Sequence, residues 1–456
     1  MKRRSFLGAA AGGAGTVLLR DARSAWSFQA NGRVRVALVG LGGRGSWFVE
    51  TMPKLAEVVA LCDVNQVKAE EAYKRMPGLP RFRDFRKMLD EKGSAFDAVV
   101  VATPDHVHAP ISVAAMRCGK HVYVEKPLAH DPYEARRMRQ VATETKVATQ
   151  MGNQGTASPA FRRALELLQG GAIGDLREVH AWHNGGGPGR REPPKGEHPV
   201  PDYLDWDLWL GPAVARPFHR EWMTWHLWRD FATGNLGNWA SHTCNLAFRA
   251  LDLVRLWQAE PKDGPRPLLR VSAAVSEINP LSHPRWETVA WDAPARGSRP
   301  PIRLTWHNGS GAPGMRDRLE ALLGDRLDWG DQKEKKWQDF AGLLFVGSKG
   351  RLHATGHNAT FRLLPEADFQ GVQRARPETL ESSRGHEHEW LDACRGGMPA
   401  WSNFDYAGPF EEFLLLGNVA TRFEGPIDYD PLDGKIVNNT EADRALKREY
   451  RTGWAL

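Results

Sequence analysis

Apolar and polar positions follow two different rhythms along this chain. From residue 34 to about 152, short unbroken apolar runs alternate with amphipathic stretches, the pattern of buried parallel strands joined by crossover helices. The runs predict strands over 34–39, 58–62, 98–102, 121–124 and 147–151. Between them, helices are predicted over 46–54, 66–75, 111–118 and 132–145, with Gly119 placed to close the third. Beyond Gly152 the rhythm changes. A helix over 161–168 runs into Gly170-Gly171, and alternation over 176–182 starts a second group of strands, continued over 268–276, 303–307, 343–347 and 351–354. Loops rich in glycine and proline separate these strands, and two more helices are predicted over 386–394 and 409–423. The fold class is therefore α/β: a doubly wound parallel sheet over residues 31–152, then an α+β domain with a large, mostly antiparallel sheet over 153–445.

The first strand candidate runs straight into Gly40-Leu41-Gly42-Gly43-Arg44-Gly45, a G-x-G-x-x-G turn. Its three spaced glycines suit a tight turn, close backbone approach to a pyrophosphate, and close packing of the next helix on the strand. The second apolar run ends at Asp63, 18 residues past the last of them, where a ribose-binding carboxylate is expected. An N-terminal Rossmann domain is the reading that unites strand, turn and acid. A carboxylate there accepts hydrogen bonds from both ribose hydroxyls and repels a 2′-phosphate, so NAD is favoured over NADP; Arg44, able to reach a phosphate, argues the other way. Gly40, Gly42, Gly43, Arg44, Gly45 and Asp63 are the first cofactor-binding candidates. Thr103, Pro104, His106 and His108 join them, because they follow the third strand candidate at its carboxyl end, where open parallel sheets bind ligands. No third ligand stands near His106 and His108, so no metal site is expected. His386-Glu387-His388, at a helix start, reads as a cap and surface cluster.

Glu125-Lys126-Pro127 follows the fourth strand candidate. A lysine at a strand end beside a nicotinamide can do acid–base work once burial or a nearby cation lowers its ordinary pKa of about 10.4. Oxidised nicotinamide is such a cation. Pro127 biases Lys126 towards extended backbone, which aims the side chain. Lys126 is thus a catalytic candidate, and Glu125 and Lys126 extend the cofactor-binding set.

With Glu125-Lys126-Pro127 placed after a Rossmann half, the chain resembles the Gfo/Idh/MocA oxidoreductase family over nearly its whole length beyond residue 30. The stretches Leu204-Asp205-Trp206-Asp207-Leu208-Trp209-Leu210-Gly211-Pro212 and Ser402-Asn403-Phe404-Asp405-Tyr406-Ala407 resemble those of exported bacterial members. The resemblance implies an NAD(P)-binding domain, a second domain whose open sheet supports homo-oligomers, and sugar-like or polyol substrates. It makes Lys126 the catalytic or substrate-orienting lysine. The family's Asp followed four residues later by His matches Asn238 and His242, so an amide stands where a carboxylate is usual. Four-residue spacing puts both on one helix face. An amide cannot take a proton, leaving His242 or Lys126 as base. Trp225 and Arg229, just upstream, are further substrate-binding candidates with Asn238. The glycine-rich stretch 184–189 reads as a flexible loop, with a substrate lid as the sharper alternative.

The 456 residues carry a formal charge of +6, of which Lys2, Arg3, Arg4, Arg20 and Arg23 against Asp21 contribute most. Elsewhere the charges are interspersed, which excludes a nucleic-acid surface. Cys62, Cys118, Cys244 and Cys394 lie too far apart for a disulfide framework or zinc knuckle. Lys2-Arg3-Arg4-Ser5-Phe6-Leu7 and the Gly/Ala-rich stretch after it read as a twin-arginine export signal over 1–30, too short and glycine-rich for a stable membrane span. A periplasmic or otherwise exported location follows, with the twin-arginine machinery as a partner and NAD loaded before export. Eight of the 18 tryptophans fall between Trp182 and Trp257, as an aromatic core or a surface for stacking sugar rings. The expected activity is hydride transfer from a sugar, polyol or glycoside hydroxyl to retained NAD. Its alternatives are an NAD-assisted, redox-neutral glycoside hydrolase and a non-catalytic NAD-bound sugar sensor.

Overall fold

The computed structural model describes residues 32–258, 266–296, 299–327 and 340–456; the leader read over 1–30 lies outside them. Strands β1 (Arg35–Val39), β2 (Glu57–Cys62), β3 (Arg81–Phe82), β4 (Ala98–Val101), β5 (His121–Val124) and β6 (Thr149–Met151) form one sheet in the order β3-β2-β1-β4-β5-β6. Every pairing in it is parallel. This is the doubly wound order, and its direction reverses between β1 and β4. The segments leaving those two strands therefore diverge above the sheet and open a crevice. β4, Ala-Val-Val-Val, is buried at all four positions, which explains its unbroken apolar run.

Local chemistry sets the helix starts. Asn65 accepts from the amides of Val67 and Lys68 to begin Gln66–Arg75. Asp131 accepts from Glu134, with Pro132 in the first turn of Pro132–Thr145. The helix predicted from 111 begins at His108, because a 3₁₀ turn over Asp105–Val107 leads directly into it. Gly119 follows that helix at φ +71°. β3 and the helix Phe85–Lys92 escaped the sequence reading. One has two residues, and the other buries only Phe85, Met88 and Leu89.

The second sheet has nine strands: β7 (Leu176–His183), β8 (Leu269–Val275), β9 (Glu287–Ala293), β10 (Ile302–Asn308), β11 (Ala341–Gly347), β12 (Arg351–Thr355), β13 (Phe361–Leu364), β14 (Ile427–Asp430) and β15 (Lys435–Ile436). Their order is β13-β12-β11-β7-β10-β9-β8-β14-β15, antiparallel except for β7 with β10. β9 was hidden in the sequence because Glu287 occupies an inward position. The buried carboxylate accepts from Trp306 Nε1 (3.3 Å) and Asn308 Nδ2 (3.2 Å).

Two helices bind the halves together. Phe404–Ala420, buried on nearly every side, packs against both Pro132–Thr145 and the second sheet. It starts earlier than the predicted 409 because Asn403 caps it, accepting from Asp405 N, and Pro409 sits inside it. His386–Cys394 crosses back to the first sheet and inserts Trp390, Leu391 and Cys394 among Val36, Phe48, Val100 and Tyr123. Tyr123 meets Phe48 and Trp390 edge-on, with ring centroids 5.1 and 5.6 Å apart. Residue 152 thus marks a change of architecture, while the hydrophobic core runs across it. Among the described residues no helix is long and apolar enough to cross a membrane. Trp390→Ala removes the largest side chain of this shared core and is expected to cost about 3–5 kcal/mol, measured as a lowered midpoint in chemical denaturation.

Candidate active site

The crevice above β1 and β4 is floored by the glycine turn. Gly40 adopts φ +82°, and a Cβ there would lie 2.6 Å from Ala102 O on the neighbouring strand's exit. A Cβ on Gly45 would lie 2.1 Å from Gly40 O, so the helix Gly45–Leu55 starts against the turn only because position 45 is bare. Asp63 braces the turn from the β2 side: Oδ2 accepts from Leu41 N and Oδ1 from Asn65 N, both at 2.8 Å. Burial pushes this carboxyl upward, and the amide bonds oppose the shift. Arg44 turns the other way. Its Nε donates to Glu125 Oε1 at 2.9 Å, on the β5 side of the sheet, away from Asp63. The guanidinium that argued for a 2′-phosphate is therefore engaged at the opposite end of the crevice.

A cavity of about 1110 Å³ runs across these strand ends. That exceeds the ~300–1,000 Å³ of a typical single-ligand pocket. Gly40, Gly42, Gly43, Arg44, Asp63, Thr103, Pro104, Glu125 and Lys126 line it from the first domain, and Trp225 and Asn238 from the second. The loop 184–189 supplies Gly186, Gly187 and Pro188 to the wall. It is an anchored wall: Asn235 Nδ2 donates to Gly186 O at 2.7 Å, and Gly187 and Gly189 donate to the carbonyls of Arg285 and His283.

Five candidates stand behind this lining. Gly45 lies under the turn, as its packing demands. His106 is fully buried with Nε2 2.9 Å from Trp209 O, and burial pushes its imidazole down to about 3. His108 spans two loops, with Nδ1 2.7 Å from Pro127 O and Nε2 2.8 Å from Thr103 O. It ties the Thr103 segment to the Lys126–Pro127 peptide, which is cis. Arg229 is spent on structure, because Nε donates to the carbonyls of Asn279 and Ser282 and Nη2 to Thr421. His242 is buried one turn after Asn238, its ring 4.6 Å from that of His357 and its Nδ1 unpartnered. Burial, with Lys126 nearby, holds its imidazole well below the usual range.

Lys126 is the side chain on which both domains converge. Its Nζ donates to Asn238 Oδ1, at the end of the helix Gly234–Asn238 in the second domain. Burial lowers its ammonium pKa, opposed by Glu125 and Asp105. Glu125 is held by Arg44 and by Gln154 Nε2 (3.1 Å), and its Oε2 accepts from Lys126 N. Three residues near this lysine were missed. Asp105 lines the cavity while its Oδ2 accepts from Thr233 N (3.0 Å) and Thr233 Oγ1 (2.8 Å). His226 also lines the cavity, its ring tilted 32° to that of Trp225 with centroids 3.6 Å apart. Burial and Lys126 lower its imidazole, and Asp105 opposes them. Glu411, fully buried, accepts from Leu128 N, and burial pushes its carboxyl well up. Only Asp105 carried a sequence signal, an acid beside Thr103 and Pro104. The other two reach the site from segments remote in sequence.

Strand order, glycine turn and acid-tipped β2 define an NAD-binding Rossmann protein, and the residues present fit that cofactor. Residues 34–153 match the model of the oxidoreductase family with NAD-binding Rossmann fold, Gfo/Idh/MocA. The match covers the first domain of this chain. A glycosyl hydrolase family 109 protein of Stenotrophomonas maltophilia is 35% identical over 204 residues, 40% of this chain and 42% of that protein. The NAD(+)-dependent scyllo-inositol 2-dehydrogenase of Bacillus subtilis is 30% identical over 147 residues, 31% of this chain and 42% of that enzyme. The chain thus spans less than half the length of these relatives. In overall fold it is similar to the WlbA dehydrogenase of Bordetella pertussis, solved with NADH and UDP-GlcNAcA. That likeness has a TM-score of 0.56 at 17% identity, over 86% of this chain and 98% of the other.

Asp63→Ala removes the brace of the turn and the ribose acceptor together. NAD affinity is expected to fall roughly ten- to hundredfold while discrimination against NADP shrinks, both read by equilibrium titration of the two nucleotides.

Proposed function

We propose that this chain is an NAD-dependent oxidoreductase that acts on a hydroxyl of a sugar, polyol or glycoside. The observation that carries the reading is Lys126, donating to Asn238 inside the cavity that the glycine turn floors. Bound NAD supplies a hydride acceptor at its nicotinamide; Gly40, Gly42, Gly43, Asp63, Thr103 and Pro104 would hold it. The chain's own residues supply the proton chemistry. Lys126, whose ammonium is made easier to deprotonate by burial, takes the proton of the substrate hydroxyl. A carboxylate at position 238 would stabilise the ammonium and raise its pKa, whereas Asn238 accepts the same hydrogen bond without adding a charge. The amide therefore shifts the duty of base onto the lysine. His226 and Asp105 lie on the same cavity wall. His242, behind Asn238, acts as a positioning residue.

Trp225 offers a flat apolar face beside His226 for a sugar ring. The second reading is the redox-neutral glycoside hydrolase, favoured by the match to the glycosyl hydrolase family 109 protein and by the absence of a carboxylate at position 238. Anaerobic incubation with aryl glycosides separates the two: free aglycone without net NADH supports hydrolysis, and NADH without aglycone supports the dehydrogenase. The leader 1–30, with its paired arginines, supports export of the folded, NAD-loaded chain through the twin-arginine route.

Lys126→Met is expected to lower kcat about 10²–10⁴-fold with NAD binding kept, as followed by NADH absorbance and nucleotide titration. Because the base must be uncharged and burial lowers its pKa, kcat/KM is expected to rise with pH through an inflection below 10.5. Asn238→Asp is expected to move that inflection upward, read from pH–rate profiles of the two proteins.

A further inference from the structure

After the short helix Thr440–Arg444, the segment 446–456 leaves the second domain and runs back over the first. Its course is fixed by buried charge. Arg448 donates through Nε (2.9 Å) and Nη2 (2.6 Å) to Glu134 Oε1 and through Nη2 to His106 O, and Tyr450 OH donates to the same Glu134 oxygen at 2.7 Å. Arg451 then fastens the segment to residues 207–212. Nε donates to Gly211 O, Nη1 to Asp207 Oδ1 and Nη2 to Asp207 O, each at 2.6 Å, and Arg451 N donates to Pro212 O. Three residues later Trp454 reaches the rim of the large cavity. Its ring lies 6.1 Å from that of Phe85, and the Arg86 guanidinium sits 4.9 Å from it.

The place where Trp454 arrives matters more than the contacts it makes. The cavity has two chemically distinct ends, Lys126 with Asn238 at one and Asp63 at the β2 tip at the other. Trp454 stands with Val64 and Phe85 at the Asp63 end, where an adenosine belongs. Residues 203–205 close the same end from a second direction: Gln66 N donates to Tyr203 O and Asp205 N to Val64 O, each at 2.9 Å. Because Arg451 is bonded to Asp207 and Gly211, the two closing segments form one unit.

We propose that the segment 446–456 is part of the cofactor site, with Trp454 as a stacking wall for the adenine and Arg451 as the latch that holds that wall closed. The inference rests on the NAD reading and deepens it. A base lying on an indole exchanges water for a flat, polarisable face. With the latch bonded, release of the nucleotide requires the Arg451 contacts to break first, so the device slows dissociation. Slow release is what a cofactor retained after export needs.

The test measures nucleotide release directly. NADH is bound to the full chain and to Trp454→Ala, Trp454→Phe and Arg451→Ala, and its dissociation is followed by fluorescence after mixing with excess NAD. Trp454→Ala is expected to speed release about tenfold or more, Trp454→Phe to restore most of the retention, and Arg451→Ala to speed release with the indole intact. ADP-ribose, which carries the adenosine end, is expected to lose affinity for Trp454→Ala by the same factor as NADH. Nicotinamide mononucleotide, which lacks it, is expected to bind the variant and the parent alike. Unchanged release from both Trp454→Ala and Arg451→Ala overturns the proposal and leaves the NAD reading standing, as does equal loss of nicotinamide mononucleotide. A parent chain that binds neither NADH nor ADP-ribose overturns both.

Discussion

The bond from Asp105 to both the amide and the hydroxyl of Thr233 fixes how the two sheets meet. Asp105 belongs to the turn leaving β4, and Thr233 immediately precedes the helix Gly234–Asn238, which ends at the amide that meets Lys126. A charged acceptor satisfied by two donors in a buried seam is costly to separate, because parting them would leave a carboxylate and an amide without partners. The seam has further polar ties of the same kind. His130 Nε2 lies 2.7 Å from Arg229 O, and Glu411 receives Leu128 N. Lys126 and Asn238 can stay in contact across two domains because these neighbouring bonds hold the backbones that carry them.

Around Lys126 the chain sets burial against charge. Glu125 and Asp105 favour the ammonium, and burial disfavours it more strongly. Arg44 draws on one of the same acids, since its bond to Glu125 neutralises part of the field the lysine feels. An aspartate in place of Asn238 would tip the balance towards the charged form. The single amide is therefore an electrostatic setting: it accepts from Lys126 without adding the charge that would raise the lysine's pKa.

Much of the first domain was legible in the sequence because its signals are local. β4 is a continuous apolar run, the glycine turn is spelled out within six residues, and Asp63 follows at a readable spacing. Lys126 and Asn238, singled out where chemistry and motif coincide, meet in the folded chain. The site was misread where a polar side chain serves packing. Arg229 looked like a hydroxyl ligand and proved to be a cross-tie among carbonyls, and His106 and His108 proved to brace loops behind the cavity wall. Trp454 and His226 gave no warning, because their meaning comes from segments that meet only in three dimensions. β9 was concealed by the inward Glu287, whose partners Trp306 and Asn308 lie on the adjacent strand.

Trp390, set between Tyr123 and the rest of the first core, has a consequence for how the molecule is made. The nucleotide-binding sheet draws part of its interior from a helix more than 200 residues downstream, so the first 152 residues are not a self-sufficient cassette. Tyr123 takes one of its two edge-on ring partners, Trp390, from that helix. The interior beneath the dinucleotide turn is thus complete only when segments on both sides of residue 152 pack together.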